Sequence, residues 1–397
     1  MKDYARAFAA VDALTDEYIN LWEELGNIES PTDDKAGVDA VCARVTAHGR
    51  LLGFETETHP VTGSGDPVCL VMNPGAKGKP IAFSAHMDTV HAKGVFGYPP
   101  VTVDREHDVI RGPGVGDDKS GAVAALLAMH ALKAIGFADR PLYLLLQTDE
   151  ETNSVGSGKE TIRWIIEKAK DCAAFFNCEA ISFGVNAAGE KCPSVVTARK
   201  GIARYRFTVT GRGIHACACH MGASAIAAAA HIITFLEDIP KDPEGITVSV
   251  GLIRGGSAPN AVPEQCEFEA DTRFATFGEA DRIDELMKQA AAKCGVEGTT
   301  CTVECFSRRV PMEKCEHNEK LFADMNAAFR EAGLPELGTL FSGGGSDAAD
   351  VTAAGIPCID SIGTEVGGEH TLKEWSRLSS LAEAAKRLVC LAIGLAD

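Results

Sequence analysis

Three adjacent acidic residues follow an apolar run in the segment LYLLLQTDEETNSVGSG, residues 142–158. They are Asp149, Glu150 and Glu151. Carboxylates clustered at the end of a buried strand raise one another's pKa and cost stability unless a cation or a proton offsets their charge. A solvated strand end is the ordinary explanation for one such segment. The question is therefore whether other segments supply residues that would bind a cation beside these acids.

Histidines and acids also follow other apolar runs of the chain. They are His86 and Asp88 after PIAFSA, Glu179 after AAFFNC, His370 beyond IPCIDSIG, and Asp117 and Asp118 in the glycine-rich GPGVGDD. Each alone is more often a solvated strand end or a helix N-cap. Ligands of open parallel sheets bind at the carboxyl ends of the strands, so we expect these residues at one edge of one sheet. Two histidines and several carboxylates can bind Zn²⁺ or a similar ion, and suffice for two ions that share a bridging carboxylate.

The two glutamates of the Glu150–Glu151 pair can have different roles. One glutamate can bind metal while its neighbour handles protons, because a metal-bound water needs a base close by. Two metals roughly 3.5–4 Å apart can hold a hydroxide between them and polarise a carbonyl group.

The elements that would position these residues alternate between helix and strand. The apolar strands are PVCLVMN, PIAFSAHMD, PLYLLLQTDEE and AAFFNCEA, and the helix DKSGAVAALLAMHALKAIG lies between two of them. Short, nearly all-apolar strands separated by helices predict an α/β fold, with a mostly parallel sheet flanked by helices.

The pattern changes near residue 199. The segments that follow have the order β-α-β-β-α-β, which predicts a ferredoxin-like α+β unit. From about residue 311 the α/β pattern resumes with a helix, the loop FSGGGSDAAD, a strand and a final helix from about Leu378. The sequence therefore predicts one domain formed by residues 1–198 and 311–397, with residues 199–310 inserted into it as a second domain.

Composition and net charge exclude some classes of protein. Of 397 residues, 45% are hydrophobic and 24% charged, and the net charge is −18. Such an acidic chain is not expected to bind nucleic acid or an anionic membrane surface as its main partner. The first eighteen residues indicate an amphipathic helix rather than a secretion signal. The 14 scattered cysteines include no CxxC pair, so we expect reduced thiols and a cytoplasmic protein.

The segment IHACACHMG contains His215, Cys217, Cys219 and His220. If it were a strand, alternation would place the two cysteines on one face with His215. The spacing differs from that of a closed structural zinc site, so a local zinc site is the weaker interpretation.

The motifs SAHMDTV, GPGVGDDKSG, TDEET and GGGSDAAD together resemble those of a known enzyme family. The chain looks like the co-catalytic zinc peptidases and amidohydrolases, which include glutamate carboxypeptidase, acetylornithine deacetylase, succinyl-diaminopimelate desuccinylase, aminoacylase and tripeptidase. The resemblance covers nearly the whole chain and is greatest to the glutamate carboxypeptidase branch. It implies a catalytic domain and an inserted lid and dimerisation domain.

The resemblance also implies roles for individual residues. Glu150 matches the general base that acts on a water bridging the metals, and Asp88 matches the acid that orients an imidazole ligand. Asp117 matches the bridging carboxylate, often joined to the next residue by a cis peptide, with Asp118 as the alternative. The implied metal ligands are His86, Asp117, Glu151, Glu179 and His370.

In the inserted domain, His215 matches a histidine that stabilises the oxyanion in a partner subunit's active site. The implied substrate-binding residues are Arg273, which would grip a carboxylate bidentately, Asn260, and Ser346 in the glycine loop. Arg308 or Arg309 could select an acidic side chain, or could form an ordinary surface pair. The family usually has Ala-Gly after the lid histidine, where this chain has Ala-Cys, which bears on the placement of His215.

The resulting hypothesis is a two-metal hydrolase of the carboxypeptidase or dipeptidase type, cleaving an amide bond next to a free carboxylate. An N-acyl-amino-acid deacylase or an aminopeptidase would use the same metal core. A non-catalytic metal-dependent binding protein is the hypothesis from another class, and an altered base or missing ligand would favour it. The expected cofactors are two divalent ions, Zn²⁺ first and Co²⁺ or Mn²⁺ as alternatives. The expected substrate is a small peptide or N-acyl amino acid, and the expected assembly is a homodimer through the inserted domain.

Overall fold

The structure is a computed structural model that describes residues 3–185 and 189–396. Its α-helices are α1 Tyr4–Gly26, α2 Lys35–Leu51, α3 Lys119–Ala134, α4 Glu160–Ala169, α5 Ala225–Glu237, α6 Phe277–Ala291, α7 Glu316–Ala332, α8 Ala348–Ala353 and α9 Ser380–Gly394. Its strands are β1 Glu55–Thr58, β2 Val68–Met72, β3 Ile81–His86, β4 Thr102–Asp104, β5 Val109–Arg111, β6 Leu142–Gln147, β7 Ala174–Asn177, β8 Ser182–Val185, β9 Lys191–Arg199, β10 Gly201–Thr210, β11 Ile214–His215, β12 Thr247–Gly255, β13 Ala261–Val262, β14 Gln265–Phe274, β15 Thr300–Arg309, β16 Gly338–Ser342, β17 Cys358–Ile359, β18 Val366–Gly367 and β19 Trp375–Arg377.

A six-stranded sheet forms the centre of the first compact unit, in the order β1-β2-β6-β3-β7-β17. The pairings among β6, β3, β7 and β17 are parallel, and those of β1 with β2 and β2 with β6 are antiparallel. Every residue of β3 is buried, as expected for a strand inside a sheet that is covered on both faces. The mostly parallel sheet expected from the sequence is therefore present.

Helix α3 follows the glycine-rich loop that contains Asp117 and Asp118. The Asp118 side chain caps its first turn by accepting a hydrogen bond from the Gly121 amide at 3.2 Å. Its many alanines let α1, α9 and β3 pack closely around it, so nearly the whole helix is buried. The helix ends before Gly136, whose φ of +80° suits a residue without a Cβ atom.

A four-stranded antiparallel sheet, in the order β12-β14-β10-β15, forms the centre of the second unit. Helices α5 and α6 pack on it through one apolar cluster, in which the rings of Phe207 and Phe268 stack with centroids 4.6 Å apart. Burial alternates along β10, as predicted for a strand with one exposed face. This is the ferredoxin-like α+β arrangement, so the predicted fold class is confirmed.

The chain divides into two compact units. The first contains Met1–Thr197, Lys314–Phe341 and Ser346–Asp397, and the second contains Ala198–Glu313 and Ser342–Gly345. The second unit thus includes three glycines of the loop FSGGGSDAAD. The assignment of catalysis to residues 1–198 and 311–397, and of lid and dimerisation functions to 199–310, stays a prediction. None of the helices in the described part of the chain combines the length and apolar character needed to cross a bilayer.

Several local expectations need correction. The strand predicted across IPCIDSIG is only Cys358–Ile359, and helix α8 begins within FSGGGSDAAD. The strand considered for IHACAC ends at His215, and Ala216–Met221 forms a 3₁₀ helix. Strands of two residues carry too few positions for an alternation pattern. The ends of β11 and β17 were therefore not visible in the sequence.

Candidate metal centre

Three neighbouring parallel strands, β6, β3 and β7, bring acids and a histidine to one edge of the central sheet. His86 is the last residue of β3, and Glu179 follows β7 by two residues. Glu150 and Glu151 follow β6 in a 3₁₀ turn that spans Glu150–Thr152. The strand-end positions inferred from the sequence are therefore adjacent in space, because parallel strands end at the same edge.

Asp117 and His370 reach this edge from a second, antiparallel sheet in the order β18-β19-β5-β4. Asp117 lies in the loop between β5 and α3, and His370 lies in the turn between β18 and β19. The expectation that His370 follows a strand of the central sheet is therefore wrong. A small sheet formed by segments far apart in the chain positions it instead.

The Asp117 carboxylate lies between the two histidines. Its Oδ1 is 2.8 Å from Nε2 of His86, and its Oδ2 is 3.2 Å from Nε2 of His370. Each oxygen therefore faces a different imidazole. A carboxylate that bridges two metal ions requires this orientation, with one oxygen directed to each side. The peptide bond between Asp117 and Asp118 is cis, as the family resemblance implies.

The glutamates complete two overlapping groups of possible ligand atoms. His86, Asp117 and Glu151 form one group, and His86, Glu150 and Glu179 form the other, with all ligand atoms of a group within 4.8 Å of one another. Glu151 Oε2 is also 3.3 Å from Nε2 of His370. The imidazole and carboxylate donors therefore fit two divalent ions, with Glu150 beside them either as a ligand or as a base.

The electrostatics of this edge favour a bound cation. Burial raises the pKa of Glu179 well above its usual range and that of Glu151 to about 7. Hydrogen bonds with Asp117 and Glu151 raise the pKa of His370 to about 10. Burial opposes a charge on His86, but its hydrogen bonds with Asp117 and Asp88 raise its pKa well above the usual value. Without metal, protons on the histidines offset the buried carboxylates, and divalent ions can offset the same negative charge.

Asp88 connects His86 to the glutamate turn. Its backbone carbonyl lies 3.0 Å from Nδ1 of His86, and its carboxylate Oδ1 lies 3.5 Å from the same nitrogen. The carboxylate accepts hydrogen bonds from the amides of Glu150 and Glu151 and from the hydroxyl of Thr32. A proton on Nδ1 leaves the Nε2 lone pair directed at the candidate centre. Asp88 thereby holds both the imidazole and the turn that carries the two glutamates.

The other two acids near this edge point elsewhere. Asp149 accepts hydrogen bonds from the Ser157 amide at 3.0 Å and the Thr161 hydroxyl at 2.5 Å, so it stabilises the segment that follows the strand. Asp118 caps α3, and burial raises its pKa well above the usual range. Of the three adjacent acids after LYLLLQT, the first is therefore structural, and only the two glutamates lie beside the histidines.

Glu374 is a functional candidate that the sequence did not reveal. It is buried, and its carboxylate accepts hydrogen bonds from the amides of Gly114 at 3.1 Å, Gly116 at 2.8 Å and Asp117 at 3.2 Å. Nε2 of His91 lies 2.9 Å from Oε2 of the same carboxylate. Glu374 thus anchors the loop that presents Asp117. A lone glutamate four residues after His370 gives no local signal of this long-range contact.

Replacing Glu374 with Gln is expected to weaken metal binding by about 10–100-fold, as is typical when a group that supports a ligand is lost. The amide cannot accept from all three backbone donors without bringing its own NH₂ against one of them. Metal titration followed by activity at saturating metal measures the effect, and activity should recover at high metal. Glu383→Gln is the control because that exposed glutamate forms an ion pair with Arg377 and belongs to neither ligand group. Unchanged metal affinity in Glu374→Gln would refute this positioning role.

The second unit contains three further predicted site residues, His215, Asn260 and Arg273. His215 pairs with Ala261 across β11 and β13, and the Asn260 carbonyl accepts a hydrogen bond from the Ala216 amide at 2.9 Å. The structure therefore brings His215 and Asn260 together within this unit. Nδ1 of His215 lies 3.1 Å from the sulfur of Cys217, and both side chains are exposed.

Two of the candidate arginines, Arg273 and Arg308, are already engaged by protein groups. Arg273 donates from Nε and Nη2 to the two carboxylate oxygens of Asp271, at 2.6 and 3.2 Å, and from Nη1 to the Gly343 carbonyl at 3.1 Å. Arg308 pairs with Asp284, and Arg309 is buried. A substrate carboxylate would have to share the Arg273 fork with Asp271, so its substrate-binding role stays a prediction.

Ser346 is fully buried in the first unit. Its hydroxyl accepts hydrogen bonds from the Asn177 side chain at 3.0 Å and from the Ala348 amide at 3.3 Å. These bonds join the start of α8 to the end of β7. They identify a structural function for Ser346, and its contact with substrate stays a prediction.

The segment IHACACHMG does not form a compact metal-ligand group. Within residues 3–185 and 189–396, the groups of three or more closely spaced potential ligands are the two that share His86 and a third formed by Glu17, His48 and His130. The 3₁₀ helix after His215 removes the strand alternation on which the weaker zinc interpretation depended.

Residues 82–393 match the model of Peptidase family M20/M25/M40. The chain is 30% identical over 372 residues to carboxypeptidase G2 of Pseudomonas sp. strain RS-16, which covers 91% of this chain and 85% of that protein. A tripeptidase from Staphylococcus aureus has a similar structure, with a TM-score of 0.78 and 21% identity over 96% of this chain and 97% of that one. A dinuclear metal-binding peptidase of the M20 family from Bacillus subtilis has a TM-score of 0.68 and 17% identity over 96% of this chain and 98% of that one.

The protein belongs to Peptidase family M20/M25/M40. It is therefore a metal-dependent hydrolase, and the family assignment made from the sequence motifs is confirmed. Its two groups of possible metal ligands at the sheet edge share His86.

Proposed function

We propose that this protein is a two-metal hydrolase that cleaves an amide bond adjacent to a free carboxylate, as a carboxypeptidase or dipeptidase does. The observation that carries the proposal is the position of Asp117 between His86 and His370, with Glu150 beside the same group. The 30% identity to carboxypeptidase G2 over most of the chain supports the carboxypeptidase type.

The metal ligands in this proposal are His86, Asp117, Glu151, Glu179 and His370, with Asp117 shared. When bound, two divalent ions, with Zn²⁺ as the first candidate, would supply Lewis acidity toward the substrate carbonyl and lower the pKa of water. Asp88 keeps the His86 imidazole and the Glu150–Glu151 turn in place. The ligand positions are thus held by residues that need not touch the substrate.

Glu150 is the general base in this proposal. It accepts a proton from the attacking water as the water oxygen bonds to the carbonyl carbon. It then passes that proton to the leaving nitrogen as the C–N bond breaks, so the products are a carboxylic acid and an amine, which ionise to a carboxylate and an ammonium ion near neutral pH. His215 is proposed to stabilise the oxyanion in a partner subunit of a homodimer, and Asn260, Arg273 and Ser346 to bind the substrate.

A substrate panel with and without chelator tests the proposal. Dipeptides, tripeptides and N-acyl amino acids would each be offered with a C-terminal Glu or Asp and with a neutral C-terminal residue, and amino-acid release measured. We expect release that a chelator abolishes and added Zn²⁺ restores, since removing the ions removes the Lewis acid. C-terminally amidated versions of the best substrates are the matched control. They should be poor substrates if the enzyme recognises a free carboxylate.

Two results would contradict the proposal in different ways. Chelator-sensitive release at the same rate from free and amidated substrates would favour an aminopeptidase on the same metal core. Metal binding with no hydrolysis anywhere in the panel would favour a metal-dependent binding protein.

A further inference from the structure

A second group of metal-ligand side chains lies among the helices of the first unit. Glu17 is on α1, His48 on α2 and His130 on α3. One ligand atom from each residue lies within 4.8 Å of those from the other two. His48 is buried, His130 is half-buried and Glu17 is exposed, so the group opens to solvent on its acidic side. Two imidazoles and one carboxylate are a ligand set that Zn²⁺ takes in proteins.

Tyr18 stands beside the two imidazoles. Its hydroxyl lies 3.0 Å from Nε2 of His48 and 3.1 Å from Nδ1 of His130, and donates toward the Leu126 carbonyl at 3.3 Å. The side chain is fully buried. Hydrogen bonding to Tyr18 accounts for the two histidines, but it does not account for the carboxylate of Glu17 beside them.

The charges beside this group suit a bound cation. A neutral imidazole offers a lone pair to a metal, and Glu17 adds one negative charge. Two cations lie near the histidines: Arg44 is paired with Glu24, and the Lys133 ammonium lies over the ring of Phe54. Among the described residues, Glu17 has no ion-pair partner.

We infer that Glu17, His48 and His130 form a third divalent-metal site, separate from the candidate catalytic centre, with Tyr18 next to it. The ligand chemistry selects Zn²⁺ or another ion that accepts imidazole nitrogen. A bound ion would link α1, α2 and α3, which contribute to one apolar core. Since the unfolded chain does not hold these three helices together, binding would stabilise the folded state.

Zinc stoichiometry tests this inference in the full-length protein. The protein would be stripped with a chelator and dialysed to equilibrium against buffered Zn²⁺, and zinc counted per chain for the wild type, Glu17→Gln and His130→Ala. We expect each variant to bind one equivalent less than the wild type. His107→Ala is the matched control, because that exposed histidine pairs with a carboxylate of Asp104 outside any three-ligand group, and it should bind as the wild type does.

Thermal unfolding of the stripped proteins separates loss of the site from loss of the fold. Glu17→Gln alters only an exposed side chain, so its unfolding temperature without metal should equal that of the wild type. If His130→Ala is unstable, the zinc content of Glu17→Gln alone tests the inference. Hydrolytic activity should be the same in Glu17→Gln and the wild type, since neither the base nor the catalytic ligands change. Equal zinc content in the wild type and Glu17→Gln would overturn the inference, whatever the protein hydrolyses.

Discussion

The variant Glu150→Gln is expected to lose about 10²–10⁴-fold in kcat while it retains both catalytic metal ions, because general-base catalysis typically contributes that much. The substitution keeps the size and shape of the side chain but removes the carboxylate that accepts the proton of the attacking water. The backbone should not move, since the amide of residue 150 donates to Asp88 in either case. Steady-state kinetics on the best substrate of the panel, with metal analysis of the same samples, measures both quantities.

Glu160→Gln is the matched control for this experiment. Glu160 is an exposed residue at the start of α4 and pairs with His59, away from the metal centre. Its variant should have wild-type kcat and metal content. Near wild-type turnover in Glu150→Gln would exclude Glu150 as the base. Loss of one metal equivalent with loss of activity would instead assign Glu150 as a ligand, which its position beside His86 and Glu179 also permits.

The variant Asp117→Asn is expected to bind less than the full complement of catalytic metal and to lose about 10³-fold or more in kcat/KM. Asp117 directs one oxygen to each side of the centre, whereas asparagine replaces one of these oxygens with an NH₂ group that cannot ligate. The Lewis acidity at risk contributes several kcal/mol, and ~4 kcal/mol corresponds to roughly 10³-fold in rate. Metal analysis after equilibrium dialysis, followed by kinetics, provides the measurement.

Asp118→Asn is the natural control because the two acids are adjacent. Asparagine caps a helix about as well as aspartate does, so the cap on α3 should survive with a small change in the free energy of unfolding. Metal content should stay near that of the wild type. The reverse result, with metal lost in Asp118→Asn and kept in Asp117→Asn, would reassign the bridging carboxylate.

The sequence was sufficient to identify most of the candidate metal centre. His86, Glu150, Glu151 and Glu179 each follow an apolar strand, and strand type and order can be recognised locally. Because parallel strands end at one edge, the order of the strands is enough to predict that these side chains meet. The ferredoxin-like order of the inserted unit was predictable for the same reason, since each element is long enough to show its period.

The tertiary structure determined what depends on contacts between distant segments. It showed that Asp117 rather than Asp118 lies between the histidines, because the Asp117 amide is anchored by Glu374 and Asp118 is used as a helix cap. It also brought His370 from a second sheet and gathered Glu17, His48 and His130 from three helices. Residue type and periodicity report what a segment forms and which face it buries. Which side chains from different segments meet depends on how those segments pack, and that information lies in no single segment.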